Sequence, residues 1–83
     1  MNYRTIYLNP NYIKEPKTNS YCVRCQKDIK ETSRFRMVHL VDGGLQVLHS
    51  ADESNYVSDQ GDLYFHKVGI ECAKILGLEY TTV

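Results

Sequence analysis

The sequence predicts a small α+β domain held together by a metal ion, and three observations lead to this prediction. The chain has 83 residues, a length at which a hydrophobic core alone gives marginal stability. Cys22 and Cys25 form a Cys-x2-Cys pair, and the remaining cysteine, Cys72, lies far along the chain. Between them are two β-favouring segments joined by a glycine-rich turn, and Cys72 itself lies in a segment with helical periodicity.

The composition is typical of a folded protein and does not indicate strong electrostatic attraction to a charged partner. Hydrophobic residues make up 42% of the chain, which is too many for a disordered segment. Ten basic and ten acidic residues cancel, so no overall field would draw the chain to nucleic acid or to an anionic membrane. No stretch approaches the roughly 20 apolar residues of a membrane span, and the first residues do not lead into a signal-peptide core. The odd cysteine count argues against a secreted disulfide framework, so we expect an intracellular, cytoplasmic protein.

The charges are unevenly distributed along the chain. Up to Arg36 there are eight basic and three acidic residues, whereas from Met37 onward there are two basic and seven acidic residues. If the two parts fold against each other, the charges mix at the surface. Otherwise a basic face surrounds the Cys-x2-Cys turn and offers candidate nucleic-acid contacts. The residues of this alternative face are Arg24, Lys27, Lys30, Arg34 and Arg36.

The chain divides into an N-terminal arm, residues 1–20, and a metal-binding domain, residues 21–83. Residues 3–8 alternate well enough to form a short strand. Residues 9–20 contain two prolines and three asparagines, which indicates a loop lying over the domain.

A β-hairpin is predicted in the centre of the domain. Residues 34–41 and 45–49 are rich in β-favouring side chains, and Asp42-Gly43-Gly44 between them can adopt the positive φ angles of a tight reversal. Residues 63–65 are predicted to form a short third strand that joins the hairpin.

Two helices are predicted. Ser50 and Glu53 match a capping box, so a helix of one or two turns should run from there to about Tyr56. Apolar residues from Ile70 to Leu76 are spaced as in a helix of about two turns, with Gly77 as its C-terminal cap. Cys72 lies in the first turn of this helix, where exposed amides favour a thiolate.

The three cysteines point most directly to structural zinc. Zinc binds thiolates tetrahedrally at roughly 2.3 Å, and a site shared by Cys22, Cys25 and Cys72 would link the early turn to the last helix. A redox disulfide between Cys22 and Cys25 is less well supported, because the thioredoxin-type motif belongs to a βαβ unit that the sequence does not predict. The third interpretation is three unconnected thiols.

The order of these features resembles a treble-clef zinc finger from residue 21 to residue 78. More narrowly, the chain is similar to small, uncharacterised proteins often encoded by phages and prophages. The resemblance is carried by the Cys-x2-Cys turn and by the segments VHLVDGG (38–44), LHSADE (48–53) and GIECAK (69–74). It implies a fold and a phage-like origin but no activity. Treble-clef proteins usually offer a second ligand three positions after the helix cysteine, where this chain has Ile75.

The fourth metal ligand is expected among the histidines. His66 lies six positions before Cys72, a spacing that a loop entering a helix can close on one ion. The phage-protein resemblance favours His49 instead, with His66 as the alternative. His39 lies inside a predicted strand and is interpreted as a half-buried histidine of the sheet. The acidic residues Asp42, Asp52, Glu53, Asp59 and Asp62 are interpreted as turn and cap residues.

Three classes of function follow from these features. The first is a non-enzymatic zinc-binding adaptor that binds another protein, which for a phage protein would be a host or defence factor. The second is a zinc finger that binds nucleic acid through the basic region from Arg24 to Arg36. The third is an enzyme in which zinc held by three cysteines keeps an open position that activates water.

Overall fold

A computed structural model of the chain describes residues 1–6, 18–30 and 32–83. Its regular elements are β1 Tyr3–Thr5, β2 Phe35–Val41, β3 Gln46–Leu48, β4 Tyr64–Gly69 and α1 Ile70–Leu76, with 3₁₀ helices at Asp42–Gly44, Ser50–Asn55 and Leu78–Tyr80. The strands form one antiparallel sheet in the order β1-β3-β2-β4. This architecture confirms the predicted small α+β fold.

The predicted hairpin is present between β2 and β3. Leu40 pairs with Val47, and Val41 pairs with Gln46. The reversal depends on the Asp-Gly-Gly sequence, because Asp42, Gly43 and Gly44 have φ angles of 55°, 66° and 94°. Residues with long side chains rarely adopt this left-handed conformation, so these residue types determine where the chain turns back.

The third strand joins the hairpin as predicted but is longer than predicted. Residues 63–65 were expected, whereas β4 spans Tyr64–Gly69 and pairs with β2 from Leu40 to Phe35. The extension follows from Val68, a β-branched residue that is fully buried in the core. As a result, β4 runs directly into α1 at Gly69.

The beginning of the chain contributes a strand to the sheet. β1 pairs antiparallel with β3, from Tyr3 opposite Leu48 to Thr5 opposite Gln46. Ile6 follows β1 and its amide donates to the Leu45 carbonyl at 3.1 Å, whereas the last two residues of the predicted strand and most of the predicted 9–20 loop lie outside the described residues. The boundary at residue 20 therefore stays a prediction.

One face of the sheet packs against α1 to form the core. Alternate side chains of a strand lie on opposite faces. Val38 and Leu40 of β2 belong to the core cluster, and His39 lies on the other face. The core cluster consists of Cys22, Val38, Leu40, Val47, Val68, Cys72, Ala73 and Leu76. Two of the three cysteines are therefore part of the hydrophobic core.

Both predicted helices are present, α1 at Ile70–Leu76 and a 3₁₀ helix at Ser50–Asn55, but the second is not capped as predicted. Gly77 caps the C-terminus of α1 as predicted, with a φ of 111°, and Gly69 takes the N-cap position. The capping box prediction was wrong. Nδ1 of His49 accepts the hydrogen bond from the Ala51 amide, at 3.0 Å, and Ser50 Oγ donates to the Glu79 carbonyl instead. The carbonyl of Glu79, close in space but distant in sequence, competes for the serine hydroxyl.

Candidate metal centre

The Cys-x2-Cys segment forms a tight turn closed by backbone hydrogen bonds. The Gln26 amide donates to the Cys22 carbonyl at 2.8 Å, and the Cys22 amide donates to the Lys27 carbonyl at 3.0 Å. Gln26 has a φ of 56°, which is uncommon for a residue of this type. The reversal places the sulfur atoms of Cys22 and Cys25 close together.

The turn is fastened to the end of β4, where α1 begins. The Val23 amide donates to the Lys67 carbonyl at 3.0 Å, and Lys67 Nζ donates to Ser20 Oγ at 2.9 Å. Gly69 lies beside Cys22, and a β carbon on Gly69 would be 3.9 Å from the Cys22 sulfur. This contact brings the first turn of α1, which contains Cys72, over the cysteine turn.

The sulfur atoms of Cys22, Cys25 and Cys72 all lie within 4.8 Å of one another. All three are free thiols, and Cys22 and Cys72 are only 1% and 6% exposed. Tetrahedral zinc with sulfur bonds of 2.3 Å keeps its sulfurs about 3.8 Å apart, so small side-chain adjustments would bring these three onto one ion. The three cysteines are thus positioned to hold a metal ion.

The electrostatics of the thiols favour a cation among them. Burial opposes ionisation of Cys22, but hydrogen bonds from the backbone of Gly69, Cys25 and Arg24 bring its pKa below the ordinary value. Burial raises the pKa of Cys72 to about 12, although a hydrogen bond from Arg24 acts in the opposite direction. Adjacent thiols cannot all lose their protons unless a positive charge compensates them. A divalent metal would supply that charge.

Arg24 is the cationic side chain that contacts the cluster. Its Nη1 donates to the Cys72 sulfur at 3.4 Å. A charge-assisted hydrogen bond of this kind strengthens when its acceptor becomes a thiolate. The sequence analysis interpreted Arg24 as a candidate nucleic-acid contact. Its position between Cys22 and Cys25 could have indicated that it lies beside the sulfur cluster.

Neither predicted histidine belongs to the sulfur cluster. Among the described residues, no ring nitrogen of His49 or His66 lies within 4.8 Å of all three sulfurs. His49 Nδ1 accepts from the Ala51 amide, and its ring packs edge-on against Tyr80 at 4.9 Å. His66 Nε2 lies 2.7 Å from the Leu63 carbonyl and donates to it. A fourth ligand from either histidine stays a prediction.

The chain was compared with protein-family models, with curated proteins and with solved structures. None of the three comparisons gave a match.

The five predicted basic residues do not share one role. Arg36 donates through Nε to the Thr81 hydroxyl and through Nη2 to the Thr81 carbonyl at 3.3 Å, so its guanidinium is engaged within the fold. Arg24 is engaged with Cys72. The side chains that are exposed are Lys27, Lys30 and Arg34.

A second polar cluster, around His39, was not foreseen. His39 is buried rather than half-buried, and its Nε2 lies 2.7 Å from Asp62 Oδ1. Its Nδ1 lies 2.9 Å from both carboxylate oxygens of Glu53. The interpretation of Glu53 and Asp62 as cap and turn residues was therefore incomplete. The sequence feature that could have indicated this cluster is a histidine inside an apolar strand, followed by acidic residues in the segment before β4.

Among the described residues, no helix has the length and apolar character needed to cross a bilayer.

Proposed function

We propose that this chain is a zinc-stapled domain of the treble-clef type that binds another protein and is not an enzyme. The observation that carries the proposal is the convergence of three sulfurs from two distant parts of the chain. A phage or prophage origin, with a host or defence factor as target, is part of the same proposal and rests on the resemblance of the sequence segments.

Zinc is proposed because of the donor set. Thiolates are soft ligands that select zinc, copper(I) or iron–sulfur clusters over calcium and magnesium. Three thiolates and one Zn²⁺ carry a net charge of −1, which the guanidinium of Arg24 and the backbone amides around Cys22 would offset. The fourth position would be taken by water or by a further side chain.

A non-enzymatic role is supported by how the polar side chains are used. Ser58 Oγ donates to Asp62 Oδ2 at 2.7 Å, and Asp62 contacts His39. A nucleophilic serine would need its hydroxyl on the histidine rather than on the carboxylate. Here the serine bonds to the aspartate and the aspartate to the histidine, so these three side chains form a structural hydrogen-bond network.

Protein binding is supported by the edge strand of the sheet. β4 is an outer strand, and the consecutive side chains of Leu63, Tyr64 and Phe65 are 43%, 67% and 44% exposed. Exposed apolar side chains on and beside an edge strand, together with its unpaired backbone groups, offer contacts to another protein. Zero net charge and the internal use of Arg24 and Arg36 argue against strong binding to phosphates.

The metal part of the proposal is tested by zinc analysis of the purified chain. We expect one zinc per chain in the wild type and none retained in Cys72→Ser. The control is Ile75→Ser, which changes an exposed residue of the same helix. A metal-free wild type that unfolds at the same temperature with and without a strong chelator would contradict the zinc staple.

The partner class is tested with labelled DNA and RNA oligonucleotides at about 50 and 200 mM salt. Binding through phosphates would weaken steeply over this range. We expect no such binding. Salt-dependent binding that is lost in the triple variant Lys27→Ala, Lys30→Ala, Arg34→Ala would favour the nucleic-acid alternative instead.

A protein partner is tested by affinity capture from host extract with the wild type and with Tyr64→Ser. We expect a stoichiometric partner that is lost with Tyr64→Ser and kept with the control Val57→Ser, which lies on another exposed part of the surface. Capture that is the same for all three chains would contradict a role for the edge strand.

A further inference from the structure

His39 lies between two carboxylates that come from the segment connecting β3 to β4. Glu53 belongs to the helix Ser50–Asn55 and contacts Nδ1, whereas Asp62 precedes β4 and contacts Nε2. The side chains of His39 and Asp62 are 7% and 3% exposed, so water does not compete strongly for these contacts. We call residues 53–62 the acidic loop.

The geometry determines the protonation state of the ring. A carboxylate accepts hydrogen bonds, and a neutral imidazole has a single N–H to donate. With both carboxylates ionised, both contacts are hydrogen bonds only when both ring nitrogens carry protons, which makes His39 an imidazolium in this arrangement. Asp62 also accepts from Ser58 Oγ at 2.7 Å and from the Tyr64 amide at 2.9 Å, as an ionised carboxylate would.

Two aromatic rings pack against the imidazole. The Tyr56 ring lies roughly perpendicular to it with centroids 4.9 Å apart, and the Phe65 ring is tilted against it at 4.8 Å. The titratable groups that face the ring are thus Glu53, Asp62 and the phenol of Tyr56.

Backbone contacts attach the end of the acidic loop to the hairpin. The Gly43 amide donates to the Gly61 carbonyl at 2.9 Å, and the amide of Leu63, directly after the loop, donates to the Leu40 carbonyl at 2.9 Å. Most of the side chains between the two carboxylates are exposed, and Val57 is 80% exposed. The loop also forms one wall of a cleft of ≈ 570 Å³ on the surface, through Tyr56, Asp59 and Gly61. The cleft therefore exists only while the loop packs against the sheet, and it is lost when the loop moves away.

We propose that His39 is a proton-operated latch: as an imidazolium it closes the acidic loop against the sheet, and on losing a proton it releases the loop. A neutral ring keeps one N–H and turns a lone pair toward the second carboxylate, which replaces a hydrogen bond by repulsion. The loop then opens more often, and the Gly43 amide loses its bond to the Gly61 carbonyl each time it opens. The sheet and α1 stay folded, because their core lies on the other face.

The interactions around the His39 ring favour its protonated form. Burial works against the charge on His39, but hydrogen bonds from the ring to Glu53 and Asp62 raise its pKa above the ordinary value of 6.5. The closed loop is therefore favoured at neutral pH, and opening is expected on the alkaline side.

The state of the ring is tested by nitrogen-detected NMR of His39 in the full chain. We expect both ring nitrogens to be protonated at pH 7. In Glu53→Gln the ring should lose its proton at a lower pH, whereas the control Asp52→Asn, on the same helix but without contact to His39, should leave the titration unchanged. A neutral ring with one bare nitrogen at pH 7 would overturn the latch, as would equal shifts in the two variants.

Release of the loop is tested by amide hydrogen exchange in the same sample. We expect the protection factors of the Gly43 and Asp62 amides to fall by about tenfold or more between pH 6 and pH 9. The Gly77 amide, which bonds to Ala73 in α1, serves as the internal control and should keep its protection. Equal protection of the loop amides at the two pH values would overturn the proposal. The wild-type measurement decides the question even if a variant fails to fold.

Discussion

The guanidinium of Arg24 donates a hydrogen bond to the sulfur of Cys72 at 3.4 Å, across 48 residues of sequence. The contact joins the cysteine turn to the last helix through a second route besides the proposed metal. It also places a positive charge where three thiolates would otherwise repel one another. Arg24 is thus expected to stabilise the metal-bound form more than the metal-free form.

Replacing Arg24 should weaken metal binding without removing a ligand. We expect Arg24→Ala to lower zinc affinity by about 10 to 100-fold, as is typical for partners of metal ligands. Arg24→Lys should retain part of the affinity, because it keeps the charge but not the planar guanidinium. Competition with a chelating dye measures the change. The control is Lys27→Ala in the same turn, and an equal loss there would contradict a specific role for Arg24.

Removing the metal should destabilise the whole domain, since Cys22 and Cys72 lie in the core. A ligand present at about 100 times its dissociation constant adds roughly 3 kcal/mol to the free energy of unfolding. We therefore expect a strong chelator to lower the unfolding midpoint in urea by a corresponding amount in the wild type. The midpoint of Cys72→Ser should not change with chelator. A chelator effect of equal size in both chains would show that the metal acts elsewhere.

The two histidines predicted as ligands should have different effects on stability but the same effect on metal content. His49→Ala removes the side chain that caps the helix Ser50–Asn55, so we expect a loss of about 1 kcal/mol. His66→Ala removes the bond to the Leu63 carbonyl, which is exposed, and should cost less. Both variants should keep one zinc per chain, because neither ring reaches the sulfurs. Loss of zinc from one variant alone would identify its histidine as the fourth ligand.

Much of the fold was predictable because its signals are local. The Asp42-Gly43-Gly44 reversal, the glycine caps of α1 and the cysteine spacing each depend on residues close together in the chain. The convergence of Cys72 on the turn was predictable because thiols with metal-ligand spacing have few alternatives.

The His39 cluster was not predictable in the same way. Its partners lie 14 and 23 residues further along the chain, and periodicity does not encode how the connecting segment folds back. The capping box failed for a related reason, since the Glu79 carbonyl occupies the Ser50 hydroxyl and Glu53 turns to His39. Local patterns identified Ser50 and Glu53 as cap residues and Asp62 as a turn residue, but tertiary contacts determined their partners.

The pH dependence of stability should follow from His39 and Asp62. The raised pKa of His39 means that its contribution is complete below pH 6.5 and is lost as the pH rises through the folded value. Burial opposes the charge of Asp62, but hydrogen bonds from Ser58, the Tyr64 amide and His39 lower its pKa below 3.8. Its contribution is present above pH 3.8 and is lost as the pH falls through the lowered value.

We therefore expect the free energy of unfolding to decline on the alkaline side, above pH 6.5. In His39→Gln this decline should be absent, and the matched control Asp52→Asn should keep it. Urea unfolding followed by tyrosine fluorescence between pH 6 and pH 9 measures both. An alkaline decline of the same size in His39→Gln would assign it to another group.

X-ray absorption at the zinc edge, on the chain purified with its metal, decides whether three cysteines share one ion. We expect three sulfur neighbours at about 2.3 Å and one lighter neighbour. A shell dominated by nitrogen and oxygen, with fewer than three sulfurs, would contradict the proposed staple between the cysteine turn and the last helix.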